Sequence, residues 1–302
     1  MQARALGRRV WGRRVARLPA RGILLCSTDL QGNRGDYEAL KAVYAREKAA
    51  GGAAILCLQG DLVHGPSPDL QEPGAWPDHL GTPYRDESAA LLLDFEQWTR
   101  REAGFALLGN HEHAHIGGPV VPKFYDDEAA VLDAALGGER ARMHAFLRTF
   151  PLVAVAPCGI VLTHAAPRAT ERDARAFERL GYAGYERVPI VEMVRRDTVG
   201  ALLWARNATA EQARALLAAL LPARHGEGLV AYGHDVVHEG YEKVGAEQIC
   251  FSTSYALDDA NKVYLRLDLG ARYRSTADLR EGREIRHLHS GPRPGPGPGA
   301  RW

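Results

Sequence analysis

Residues 53–65 read Ala-Ala-Ile-Leu-Cys-Leu-Gln-Gly-Asp-Leu-Val-His-Gly. A short apolar run that stops at Gly60-Asp61 has the pattern of a buried strand handing a carboxylate to the loop that leaves it. The same grammar recurs on both sides. Gly22–Thr28 is followed by Asp29-Leu30-Gln31-Gly32-Asn33, and Gly104–Leu108 by Gly109-Asn110-His111-Glu112. Farther on, Gly159–Thr163 ends at His164, and Leu229–Tyr232 ends at Gly233-His234-Asp235. Strand patterns also cover Leu152–Ala156, Gln248–Thr253 and Lys262–Leu267. Helical spacing appears at Tyr37–Ala50, Glu87–Glu102 and Ala210–Leu221, the last opened by Thr209 with Gln212 three residues on, a capping box. Short strands alternating with helices predict an α/β fold with a largely parallel sheet, and the closely spaced later strands a second, mixed sheet.

The composition excludes several classes. Of 302 residues, 46% are apolar and 25% charged, and the net charge is +1, which rules out a disordered chain, a coiled coil or a bulk polycation. Cys26, Cys57, Cys158 and Cys250 lie in apolar runs without metal-type spacing, as buried reduced thiols do. No apolar run approaches the roughly 18 residues that would predict a membrane span. Together these features predict a cytoplasmic protein. Arg outnumbers Lys by 33 to 5, the habit of a GC-rich, bacterial coding sequence. The Arg-rich residues 1–21 read as a poorly ordered extension, residues 22–286 as one domain, and residues 287–302, ending GPRPGPGPGARW, as a Pro/Gly-rich tail.

In α/β folds the loops at the carboxyl ends of the strands carry the site. Five such loops present Asp29, Asp61, Asn110-His111, His164 and His234. Each alone is ordinary, since an Asp after a strand usually caps a turn and a lone His is usually structural. Five together supply carboxylates, an amide oxygen and neutral imidazoles, a donor set suited to a pair of divalent cations sharing one carboxylate.

These blocks resemble the calcineurin-like metallophosphoesterase superfamily, and most nearly its phosphoprotein phosphatase branch. Asp29-Leu30-Gln31-Gly32 is similar to Asp-x-His-Gly. Gly60-Asp61 and Gly109-Asn110-His111-Glu112 match the second and third motifs. His234-Asp235-Val236-Val237-His238-Glu239-Gly240-Tyr241-Glu242, Phe251-Ser252-Thr253-Ser254-Tyr255 and Leu202-Leu203-Trp204 resemble later motifs of that branch. The resemblance implies a four-layer α/β/β/α sandwich with two mixed β-sheets. It implies two divalent metals, Mn²⁺ or else Fe, Zn or Mg. Asp29 and Gln31 would hold the first, Asp61 would bridge, and Asn110, His164 and His234 would hold the second. His111 would be the general acid while a metal-bridging hydroxide attacks the phosphate ester. The substrate would be a phosphorylated protein, as for a Ser/Thr phosphatase, or a small molecule such as a dinucleoside polyphosphate.

Three departures qualify that expectation. Gln31 stands where the family has His, either as a weaker oxygen donor, favouring Mn²⁺ or Mg²⁺, or outside the ligand set. Val63-His64-Gly65 replaces Asp-Arg-Gly, removing both the acid that pairs with His111 and a phosphate-clamping Arg. His64, Arg34, Arg168, Arg206 and Tyr255 are the candidates to contact substrate. Gly65–Arg85, with Trp76 and Tyr84, is a long Pro/Gly-rich loop, either a substrate wall or a plain insertion. His113 and His115 read as solvated. The departures also leave open a weakly active or non-catalytic metal-binding module of the same fold. No aromatic-basic surface points to nucleic acid.

Overall fold

The computed structural model describes residues 2–221 and 227–289. Two mixed sheets lie face to face. The first has the order β11-β10-β2-β3-β4, with β2 (Ile23–Ser27), β3 (Ala54–Leu58) and β4 (Gly104–Ala106) parallel to one another. Here β10 (Val263–Asp268) returns antiparallel to β2, and β11 (Ile285–His287) closes the edge. The second sheet has the order β1-β5-β6-β7-β9-β8, built from Val15–Arg17, Val153–Ala156, Ile160–Thr163, Leu229–Tyr232, Gln248–Phe251 and Tyr241–Val244. Every strand pattern read from the sequence is present. The Lys262–Leu267 run joins the first sheet rather than the second.

Side-chain alternation explains the layering. Leu24, Cys26, Ile55, Cys57 and Phe105 face Ala154, Ile160, Leu162, Ala231 and Ile249 across the sheet–sheet core. Their neighbours Leu25, Leu56, Leu58 and Ala106 face the opposite way, into a core shared with Leu40, Val43, Leu91 and Phe95. Those four residues belong to α2 (Arg34–Ala49) and α3 (Ser88–Thr99). Behind the second sheet, α9 (Thr198–Trp204) and α10 (Ala210–Leu220) cover it in the same way. Strands buried on both faces read as unbroken apolar runs for this reason. The box at Thr209 and Gln212 forms as the sequence predicts. All four cysteines are buried, and none forms a disulfide among the described residues. Among the described residues no helix is long and apolar enough to cross a membrane.

The N-terminus corrects one expectation. Residues 2–17 are not a loose extension: they form α1 (Gln2–Val10) and β1, and β1 pairs parallel with β5. The arginines obscure an apolar series, Leu6, Val10, Val15, Ala16 and Leu18, that is buried throughout. Trp11 packs against Phe146 and Phe150, and Glu178 accepts from the backbone N–H groups of Arg14 and Val15. The fold also continues past 286, since Leu288 packs on the core and His289 bonds Asp36. The rest of the Pro/Gly tail, from 290 on, lies outside the described residues.

Candidate active site

The carboxyl ends of β2, β3, β4, β6 and β7 converge on one cleft of about 320 Å³, lined by Asp29, Gln31, Asp61, Asn110, His111, Lys123, Arg206, His234 and Tyr255 among others. The parallel strands of both sheets point the same way, so residues far apart in sequence meet at their tips. Gln59 fastens the two sheets there, its Nε2 donating to Thr163 O and Ala231 O at 2.9 and 3.0 Å.

The backbone is bent hard where the site is made. Among the described residues six non-glycines have positive φ, and five of them are Asp29, Gln31, Asp61, His64 and His234. Such a conformation costs a side-chain-bearing residue on the order of 1 kcal/mol and persists only where the surroundings impose it. Glu112 is one source of that imposition: fully buried, it accepts from the N–H groups of Asp61, Leu62 and Gly109 at 2.8, 2.7 and 3.0 Å. Burial and the nearby Asp61 raise its carboxyl to about 7 against those bonds. Asp29 Oδ2 accepts from His234 N at 3.0 Å, joining the first loop to the last.

The second set of donors fits a divalent cation. His164 Nδ1 lies 2.9 Å from Gln59 O, so it is the protonated nitrogen, and Nε2 keeps its lone pair. That lone pair meets Asn110 Oδ1 at 2.9 Å and Asp61 Oδ1 at 3.4 Å. Ligand atoms of Asp61, His164 and His234 lie within 4.8 Å of one another. Acceptors facing acceptors in a buried site repel unless a cation sits between them. The titration behaviour has the same origin: burial and Asp29 push the Asp61 carboxyl up, while burial and His164 push the His234 imidazole down.

The first set is different. Gln31 is buried, and its Nε2 points to Asp61 Oδ2 at 3.4 Å. Its Oε1, the atom expected to ligate, accepts a hydrogen bond from Lys123 Nζ. The Lys123 ammonium also lies 3.5 Å from the centre of the Tyr255 ring. Burial lowers Lys123 to about 8, opposed by Asp61, Glu128 and Asp29. As arranged, Asp29, Gln31 and Asp61 therefore do not fit a second divalent cation.

His111 has an acidic partner after all. Its Nδ1 lies 3.1 Å from Glu128 Oε2, and Glu128 comes from α5 (Glu128–Leu136) rather than from the loop after β3. Nε2 of His111 faces Asp61 Oδ2 at 3.8 Å. Burial pushes His111 down to about 3, with Glu128 pulling the other way. Burial would raise Glu128, but the His111 and His64 imidazoles, 3.1 and 3.3 Å from its Oε2, take it down to about 2. Glu128 does not stand out in the sequence, where its only signal is an acid at the start of a short Ala-rich stretch.

The candidate substrate contacts divide. Tyr255 and Arg206 line the cleft, and Arg206 Nη1 bonds Asp235 Oδ1 at 2.6 Å. Trp204 stands edge-on to His234. Arg34 does not reach the cleft: it pairs with Glu38 and Glu87. Arg168 bonds Asn207, also away from it. His64 is buried behind His111, with Nδ1 2.9 Å from His111 Nδ1 and Nε2 2.9 Å from His115 Nε2, so it cannot meet a substrate in the cleft. His113 and His115 are buried, not solvated, because His113 packs under Tyr182 and His115 bonds Asp133. Tyr84, from the long loop, donates to Gln31 O at 3.2 Å, and that loop braces the first site strand.

Residues 23–258 match the family model of the calcineurin-like phosphoesterases. The chain belongs to that family. It is a hydrolase acting on phosphoric ester bonds and, like its family, metal-dependent. Among solved structures it is similar to the cold-active protein-tyrosine phosphatase of a psychrophilic Shewanella species, with 14% identity, 85% of this chain and 78% of that one covered, and a TM-score of 0.50. It is also similar to a protein serine/threonine phosphatase from Saccharomyces cerevisiae (13%, 83% and 74%, TM-score 0.49). A metallophosphoesterase from Sphaerobacter thermophilus is a third relative (13%, 85% and 91%, TM-score 0.43). At 14% identity the likeness to the Shewanella phosphatase is one of fold. Among curated proteins no sequence matches the chain.

Proposed function

We propose that the chain hydrolyses phosphate monoesters at the cleft, with a divalent metal held by Asp61, Asn110, His164 and His234. The observation that carries this reading is the convergence of their oxygen and imidazole nitrogen atoms, of ligand type, beside a His–carboxylate couple. A bound divalent cation supplies Lewis-acid polarisation of a phosphoryl oxygen and acidifies water. Mn²⁺ suits this mixed oxygen and imidazole set.

The rest is the work of the chain itself. Lys123 and Arg206 form the cationic wall that receives the phosphoryl group, in place of the missing family Arg. The Glu128 carboxylate holds His111 through Nδ1, so Nε2 is presented to the cleft. When an anionic ester enters, its charge and that of Glu128 favour the imidazolium, which gives its Nε2 proton to the departing oxygen. Tyr255 and Trp204 flank the opening. Two cationic side chains match one phosphoryl group better than an extended polyphosphate. We therefore place a phosphomonoester, on a peptide or a small molecule, ahead of a dinucleoside polyphosphate.

Turnover of p-nitrophenyl phosphate with added Mn²⁺ tests the reading, followed by a phosphoserine peptide against diadenosine tetraphosphate. The expected result is hydrolysis that falls at least about 100-fold in Asp61→Asn, with the peptide cleaved faster. Equal, buffer-level rates for wild type and Asp61→Asn would favour the non-catalytic module.

A further inference from the structure

We infer that this chain is a one-metal phosphoesterase in which the Lys123 ammonium takes the place of the first cation. The inference rests on the phosphoesterase reading above and deepens it. Several observations meet at one point. The residue that would complete the first ligand set is Gln31, not His, and its amide is engaged at both ends: Oε1 accepts from Lys123 Nζ, and Nε2 is turned toward Asp61 Oδ2. A dication at Gln31 Oε1 would have to displace the ammonium held at the same oxygen or bear its repulsion. It would also have to coexist with an amide N–H₂ group turned toward the bridging carboxylate.

Lys123 is not a loose surface cation that could swing away at no cost. Its Nζ stands over the Tyr255 ring, and Phe124 beside it packs edge-on against that ring. Phe124 N donates to Glu128 Oε1 at 2.8 Å, which ties the Lys123 loop to the acid that holds His111. Glu128 and Lys123 thus arrive on one segment of chain. That segment supplies an acid for the one lost after Asp61 and a cation for the metal site weakened by Gln31. With Asp29 and Asp61 as its neighbours, one fixed positive charge balances carboxylates that in a two-metal site are shared between cations. The ammonium keeps N–H donors for a phosphoryl oxygen, which explains how the cleft manages without the phosphate-clamping Arg.

Full-length protein, stripped with chelator and dialysed against Mn²⁺, gives a direct count by metal analysis, and the Mn²⁺ electron paramagnetic resonance spectrum reports spin coupling. The expected result is about one equivalent per chain, uncoupled, and lost in His164→Ala. The double variant Gln31→His/Lys123→Ala, checked for folding by circular dichroism, is expected to take up a second equivalent with a coupled spectrum. Two coupled equivalents in the wild type would overturn the inference and leave the phosphoesterase reading standing. A double variant that stays at one equivalent would overturn the role given to Lys123. No bound Mn²⁺ at all, or one equivalent that survives His164→Ala, would remove the phosphoesterase reading and the inference with it.

Discussion

At the scale of single residues the proposed chemistry turns on replacements that move the source of a side chain while keeping its type. Val63 and His64 follow Asp61 where the family carries an acid and an arginine, so His111 looks orphaned in the sequence. Glu128 supplies the acid from a helix that begins 17 positions after His111. A positioning role for Glu128 predicts that Glu128→Gln lowers kcat about 100-fold while KM changes little, because the amide still fills the space but cannot favour the imidazolium. The pH profile separates this from mere damage. The limb that reports the general acid should move to lower pH in Glu128→Gln and return in part in Glu128→Asp. An unchanged profile would reduce Glu128 to a structural neighbour. No sequence pattern could have named this residue, since a carboxylate at a helix start is the commonest of capping features and its pairing with His111 exists only in three dimensions.

At the scale of elements, the loops at the strand ends are held from outside the site. Asp36, in the first turn of α2, is buried with Lys262 Nζ at 2.8 Å, Ser254 Oγ at 2.6 Å and His289 Nε2 at 2.6 Å. This knot ties α2, the Ser254–Tyr255 loop and the C-terminal strand together beside the cleft. Lys262 is 1% exposed, so Lys262→Met strips a buried carboxylate of its cation and should cost about 3 kcal/mol in urea unfolding. The knot also titrates. Its bond to Asp36 raises His289, so that contribution is full below the ordinary imidazole value and fades as pH rises through the raised one. Burial would raise Asp36, but bonds from His289 and Lys262 hold it low, so its contribution is lost only as pH falls below the usual carboxylate range. The melting temperature of His289→Ala should therefore lie farthest below wild type near about pH 5 and converge with it near about pH 9. A constant gap would mean that the contact is not ionic.

At the scale of the whole molecule, the two sheets bring five loops to one end, and that much was legible. The eight central strands and the longest helices could be read because doubly buried strands are continuous apolar runs, and the loops of the cleft could be read because each begins where such a run stops. The short edge strands β1, β8 and β11 escaped notice because Arg, Glu and Lys interrupt them and edge positions tolerate such residues. The N-terminal elements were misread for the same reason. Leu6, Val10, Val15 and Leu18 are each buried, and burying such a side chain is worth roughly 1.5–3 kcal/mol. Removing residues 1–21 should thus lower the melting temperature by at least about 10 °C or abolish soluble expression. A truncated chain that melts with the wild type would show that the segment is dispensable. The central claim is that Asp61, Asn110, His164 and His234 form a cage for a divalent cation at the meeting point of both sheets. Anomalous diffraction at the Mn edge from a crystal grown with Mn²⁺ tests it most directly. The account predicts the strongest peak among those four side chains, with Lys123 still on Gln31. A strongest peak at the His115–Asp133–His144 cluster, or none in the cleft, would contradict it.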